Sequence, residues 1–158
     1  MDNPVYGLLL RAFGRLPRRV RRALIHLGAP SYSVGAMCVI DREDGDVLLV
    51  RQSYRDGWAA PGGLLRRREE PEVGARREAK EEVGVDVDTL GGPSVIIDVK
   101  ARRIDVVFRC RIQPPVPDVF APDSVEIVEA RWFSRNALPV MQKETAEAFR
   151  RVFGGEKT

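Results

Sequence analysis

Residues 61–85 read Pro61-Gly62-Gly63-Leu64-Leu65-Arg66-Arg67-Arg68-Glu69-Glu70-Pro71-Glu72-Val73-Gly74-Ala75-Arg76-Arg77-Glu78-Ala79-Lys80-Glu81-Glu82-Val83-Gly84-Val85. Gly62-Gly63 carries no Cβ atoms, so the backbone there can turn sharply or approach a ligand. Pro71 suits the start of a helix and Gly84 its end. Between them, helical geometry places Glu78, Glu81 and Glu82 within an arc of about 100°. Ala75, Ala79 and Val83 form the neighbouring apolar stripe. The predicted helix therefore buries small residues and presents three carboxylates side by side. Such like charges repel by a few tenths of a kcal/mol per exposed pair, roughly, and raise one another's pKa. A divalent cation removes that conflict, and oxygen-only ligands suit Mg²⁺, Mn²⁺ or Ca²⁺. For the three acids taken alone, a solvated helix face is the competing reading.

The intervals around the acids decide between these readings. Gly63, five residues, Glu69, seven residues, Arg77-Glu78-Ala79, one residue, Glu81-Glu82, one residue and Gly84-Val85 resemble the Nudix box at every fixed position. The likeness extends loosely from Ser33 to Phe133, through the strand order, Trp58 ahead of Pro61-Gly62-Gly63, and Arg131-Trp132-Phe133. It implies an α/β fold, a Nudix-type α/β/α sandwich with a mixed β-sheet, in which the box is a loop–helix–loop. It also implies metal ligation by Glu78, Glu81 and Glu82 with the carbonyl oxygen of Gly62, the ion being Mg²⁺ or Mn²⁺. Glu69 and Arg77 then hold loop and helix together and orient the ligands.

The implied reaction is metal-dependent hydrolysis of a diphosphate bond in a nucleoside diphosphate linked to another moiety. Its substrate is a small nucleotide whose second half the box leaves open. A diphosphate is polyanionic and repels hydroxide; metal ions neutralise it and acidify a bound water, and a carboxylate takes the proton. Glu82 is the first choice for that base, with Glu81 a further catalytic candidate in the box. Outside the box the choice falls on Glu126, six residues before Trp132, and next on Glu129. A catalytically silent nucleotide-binding module and an RNA 5′-end pyrophosphohydrolase are the other two readings. The intact carboxylates argue against the first of them.

Two features depart from the family pattern. Arg66-Arg67-Arg68 replaces a loop that commonly holds a glycine just before Glu69; the three arginines either clamp substrate phosphates or sit solvated. Gly74 weakens the box helix by about 1 kcal/mol relative to Ala. Subfamily markers are mostly absent: Lys100 stands where ADP-ribose hydrolases often carry proline, and Arg102 or Arg103 where diadenosine-polyphosphate hydrolases often carry tyrosine. Trp58 and Tyr54 either stack a base or pack on the core. Arg51, at a strand end near the expected site, is a candidate for phosphate.

On either side of the box the patterning is that of strands. Val34–Ile40 is apolar and β-branched, Asp41–Gly45 reads as a turn, and Asp46–Arg51 returns, which makes a hairpin. Ser94–Lys100, Arg103–Ile112 and Val125–Phe133 are further expected strands. Gln113–Ser124 holds Pro114, Pro115, Pro117 and Pro122 and is expected to be a stiff loop. Glu144–Phe153 reads as a terminal helix. These place the hydrolase domain at 31–158.

Residues 1–30 differ. They hold Arg11, Arg15, Arg18, Arg19, Arg21 and Arg22 against one acid, Asp2. Pro17 suits the start of a helix and Gly28 its end; Val20, Leu24 and Leu27 form its apolar stripe, and Val5, Leu9 and Leu16 continue a similar pattern before it. The reading is a basic amphipathic helical extension that packs on the domain or across a homodimer, or meets an anionic membrane or RNA.

Composition narrows the classes. The chain has 158 residues, 44% hydrophobic and 31% charged, with net charge +3; this is one ordinary domain with both signs of charge. Charge so modest does not by itself argue for nucleic acid. Lysine occurs only at Lys80, Lys100, Lys143 and Lys157, so the 26 basic residues are mostly arginine. Cys38 and Cys110 are expected to be buried free thiols, and a single histidine, His26, makes a Cys/His zinc site improbable. No apolar stretch reaches the ~18 residues of a membrane span, and no signal peptide is evident; a cytoplasmic location is the expectation.

Overall fold

The structure, a computed structural model, describes residues 4–117, 120 and 124–154. In chain order the elements are α1 (Pro4–Arg15), α2 (Arg18–Gly28), β1 (Ser33–Asp41), β2 (Asp46–Gln52), β3 (Trp58–Ala59), β4 (Gly62–Leu64), α3 (Pro71–Val83), β5 (Val87–Asp98), β6 (Arg103–Ile112), β7 (Ile127–Ser134) and α4 (Lys143–Phe153). The chain divides into two compact units, Met1–Tyr32 and Ser33–Thr158.

The first unit holds the two basic helices. Pro17, at φ −53° and ψ 144°, is the N-cap of α2. It separates α1 from α2, as expected of a proline at the start of the second helix, since proline cannot continue the hydrogen-bond ladder of a preceding helix. The side chain of Val5, part of the pattern expected before Pro17, lies outside the described residues, as does Pro122 of the expected stiff loop. Leu24, Ile25 and Leu27 are exposed. No helix among the described residues is long and apolar enough to cross a membrane.

The second unit is a mixed sheet with a helix against each face. The main strand order is β3-β2-β1-β6-β5, with β4 paired to β1 and β7 to β2. The hairpin expected from the turn at Asp41–Gly45 forms, with Ile40 opposite Leu48. β1 and β6 run parallel, Gly35 opposite Asp105. Strand alternation builds the two faces. Ala36, Cys38, Ile40, Leu48 and Val50 pack with Ala75, Ala79 and Val83 of α3. Met37, Val39, Val47 and Leu49 pack with Ala148 and Phe149 of α4. Burial on both faces explains why β1 and β2 are continuous apolar runs. Cys38 and Cys110 are free and buried.

Several boundaries differ from the sequence reading. The strand expected at Ser94–Lys100 is the second half of a longer β5 that starts at Val87, with a register shift between Leu90 and Ser94. That irregularity accommodates Gly91-Gly92-Pro93, which local signals assign to a break. The strand expected at Val125 begins at Ile127. The short strands β3 and β4 carry no period of their own; pairing with β2 and β1 makes them strands.

Candidate active site

The box helix α3 begins with Pro71 in its first turn and ends on Gly84 in the left-handed conformation, φ 76°. Burial of Ala75, Ala79 and Val83 against the sheet fixes its rotation. Glu78, Glu81 and Glu82 consequently line one cleft of about 730 Å³, together with Gly62, Gly63 and Glu126.

The two glycines are sites of close approach. A Cβ on Gly62 would lie 2.5 Å from the carbonyl oxygen of Ala36, and one on Gly63 would lie 2.6 Å from Glu78 Oε1. The loop therefore packs directly on β1 and on the carboxylate face. Gly74 has a similar reason: a Cβ there would lie 2.4 Å from Leu65 Cδ2 and 3.2 Å from Glu69 Oε2. Its cost in helix propensity accompanies close packing of the box loop over α3.

Arg77 ties loop to helix. Its Nε and Nη2 donate to Glu69 Oε1 and Oε2 at 2.7 and 2.9 Å, a two-pronged pair. Its Nη1 donates to Glu78 Oε1 at 2.7 Å and to Glu81 Oε2 at 2.9 Å. Hydrogen bonds from Arg77, helped by the Arg66 N–H, hold the Glu69 carboxyl down at about 2. The same network lowers Glu81 and holds Arg77 firmly cationic.

Glu82 sits differently. It is 6% exposed and accepts a hydrogen bond from the Gly62 N–H at 2.9 Å. Burial pushes its carboxyl up to about 8; the Gly62 N–H opposes this, and Glu78, Glu126 and Glu81 add to it. Tyr54, across the cleft, has its phenol raised by burial and by the charges of Glu126 and Glu82.

The donors suit a hard divalent cation: they are all oxygen and share one helix face, and burial beside like charges disfavours ionised Glu82. As the side chains stand, no three acids among the described residues converge to hold an ion. Arg77 engages Glu78 and Glu81, and Arg66 Nη2 donates to Glu81 Oε1 at 2.7 Å. Ligation at all three acids requires these side chains to exchange guanidinium for metal.

Other candidates from the sequence separate. Arg66 lines the cleft, whereas Arg67 and Arg68 do not. Glu126 lines it and Glu129 does not; Glu129 Oε2 accepts from Arg51 Nη2 at 2.9 Å. Arg51 is thus held on β7, and its neighbour Gln52 reaches the cleft instead, past a register shift between the two. Trp58 stacks edge-on with Phe133 at 4.6 Å and packs on the α4-side core. It is an aromatic of the packing, not of the cleft wall. Sequence reasoning missed Arg55, Arg103, Gln142 and Glu144, which also line the cleft. They come from remote segments and carry no local motif.

Comparison with known proteins gives the family. The family model for the NUDIX domain matches residues 31–153. A MutT-like protein of Streptomyces ambofaciens is 40% identical over 84 residues, 52% of this chain and 53% of its own length. Nudix hydrolase 8 of Arabidopsis thaliana is 31% identical over 113 residues, 65% of this chain and 29% of its own. The chain thus spans about half, or less, of the curated relatives it matches. Among solved structures, a NUDIX hydrolase from Nitrosomonas europaea superposes with TM-score 0.70 at 23% identity, covering 81% of this chain and 73% of that one. An ADP-ribose pyrophosphatase from Streptococcus suis gives 0.63 at 25% identity, covering 82% and 96%.

Proposed function

Since the chain belongs to the NUDIX domain family, we propose that it hydrolyses the diphosphate bond of a nucleoside diphosphate linked to another moiety, with Mg²⁺ or Mn²⁺ held by Glu78, Glu81, Glu82 and the Gly62 carbonyl. The observation that carries this reading is the cleft itself, where the three box acids meet Glu126 and Tyr54. One relative of the same fold is an ADP-ribose pyrophosphatase, an enzyme named for a bond of the same chemical kind.

A bound divalent ion supplies charge neutralisation and a more acidic water. The chain supplies the rest. Glu69 and Arg77 set the loop and helix in register through their two-pronged pair. Glu82 is the favoured base, because it is buried in the cleft wall and held there by the Gly62 N–H at 2.9 Å, within the group of box acids. Glu126 is the second carboxylate able to take or hold a proton, since it faces the same cleft. Glu129 is engaged by Arg51 and Arg131 instead. Arg66, the member of the arginine loop that lines the cleft, is the loop's candidate for a substrate phosphate.

A substrate panel tests this: nucleotide sugars, ADP-ribose, dNTPs, dinucleoside polyphosphates and 5′-triphosphate RNA, each with Mg²⁺ and with EDTA. The expected result is cleavage between phosphates of at least one small nucleotide, abolished by EDTA. Tight nucleotide binding without cleavage under Mg²⁺ or Mn²⁺ would replace the enzyme by a silent binding module.

A further inference from the structure

Four arginines line the cleft: Arg55, Arg66, Arg77 and Arg103. The first three are each bonded to a carboxylate that also lines it: Arg55 to Glu144, Arg66 to Glu81, and Arg77 to Glu78 and Glu81. Arg103 is anchored differently. Its partner Asp105 lies two residues along the same strand, so both side chains leave the same face of β6. Asp105 is 3% exposed and is not part of the cleft wall.

The pair is closely built. Arg103 Nε donates to Asp105 Oδ1 at 2.8 Å and Oδ2 at 2.9 Å, and Nη2 lies 2.8 Å from Oδ1. Gly35 stands opposite Asp105 in the parallel register. A Cβ on Gly35 would lie 2.5 Å from Asp105 Oδ1 and 3.0 Å from Arg103 Nη2. Any side chain at position 35 would therefore dislodge the pair. A guanidinium has five N–H donors, and Asp105 takes only the Nε–Nη2 edge. Nη1 has no partner among the described residues. The guanidinium is thus fixed in orientation and charged, with Nη1 outside the pair, on a residue that lines the cleft. Its Nη1–Nη2 edge matches two oxygens of a phosphate.

We infer that Arg103, positioned by Asp105 and by the bare backbone of Gly35, is an anion subsite for a phosphate of the substrate lying beyond the diphosphate that faces Glu78, Glu81 and Glu82. This rests on the diphosphate reading of the same cleft. It selects substrates with a third phosphate over those whose second half is uncharged.

Binding of inorganic pyrophosphate and tripolyphosphate to the full chain, both in saturating Mg²⁺, tests it. Each probe is read as the ratio of variant to wild-type Kd, which cancels its own metal chelation. Arg103→Gln is expected to weaken tripolyphosphate about 10-fold and pyrophosphate less than about 2-fold, with Arg103→Lys in between. The double variant Arg103→Gln/Asp105→Asn leaves no carboxylate stranded, so it stays interpretable if the single variant fails to fold; the same pattern is expected. Equal ratios for the two probes in a folded variant would overturn the subsite while leaving the diphosphate reading standing, and a purely structural pair would shift Tm alone. If wild type binds neither probe, the diphosphate reading and the subsite fall together.

Discussion

Adjacent glycines in the box loop meet different neighbours, so adding one methyl group to each gives separable effects. At Gly62 the new Cβ meets backbone, the Ala36 carbonyl oxygen at 2.5 Å and Met37 Cα at 2.8 Å. Neither can yield without moving β1, whose centre is in the core. Overpacking of this kind costs about 1–3 kcal/mol. For a domain of this size each kcal/mol lowers Tm by about 2–4 °C, so Gly62→Ala should melt roughly 2–12 °C lower. At Gly63 the nearest atoms are the carboxylate end of Glu78, at 2.6, 2.7 and 3.0 Å. That end can rotate away, so Gly63→Ala should lose less than about 1 kcal/mol, within the range of ordinary substitutions. Its cost falls on function, because Glu78 leaves the position proposed for a metal ligand. Turnover should drop at least about 10-fold, equivalent to about 1.4 kcal/mol of barrier. The assay pairs thermal melts in EDTA with initial rates in saturating Mg²⁺ on a substrate from the panel. A Gly63→Ala protein that melts far lower yet turns over normally, or a Gly62→Ala protein of unchanged Tm, would refute this account of the loop.

Other outcomes follow from the same geometry. Glu82 has its folded-state pKa raised to about 8, so the metal-free native state holds a proton that the unfolded chain has released above the ordinary carboxyl value of 4.5. Stability in EDTA should therefore be fullest below that ordinary value and fall as pH rises towards the folded value; urea melts from pH 5 to 8 should show the decline, and Glu82→Gln should flatten it. Glu126→Gln should lower turnover about 100-fold, the usual contribution of a positioned proton-transfer group, whereas Glu129→Gln should stay within about 2-fold, as expected away from the chemistry; steady-state rates distinguish them, and the reverse order would move the second carboxylate to Glu129. Arg77→Lys keeps a cation but loses the two-pronged pair with Glu69 that ties the box loop, and with it the Gly62 carbonyl, to α3, so Mg²⁺ affinity measured by titration calorimetry should fall while the fold persists. An unchanged affinity would show that the fork does not order the ligands.

The parts of this molecule legible in its sequence are those written in local spacing. Pro71, Gly84 and the Ala75, Ala79, Val83 stripe locate α3 and its rotation, and with them the face that carries Glu78, Glu81 and Glu82. The β1–β2 hairpin is legible from its turn. Pairing between distant segments is not: nothing near Gly35 announces Asp105, although the parallel register sets them opposite. Cleft residues contributed by such pairing, Arg103 above all, are invisible until the sheet is assembled. Arg51 and Trp58 illustrate a second limit. Their chemistry suits a nucleotide site, but the shift between Arg51 and Gln52 re-aims the strand, and the contact with Phe133 commits Trp58 to packing. The role of Gly74 is also tertiary, since only the folded loop brings Leu65 and Glu69 over it.

The central claim is that the carboxylate face of α3 drives hydrolysis, and Glu82→Gln tests it most directly. The substitution keeps shape and removes charge from the residue that Gly62 holds in place. Measured in saturating Mg²⁺ on a substrate cleaved by wild type, the variant should melt as a folded protein and turn over about 100-fold more slowly or worse, consistent with several kcal/mol of lost metal and base contribution. A folded Glu82→Gln protein with wild-type turnover would contradict the claim.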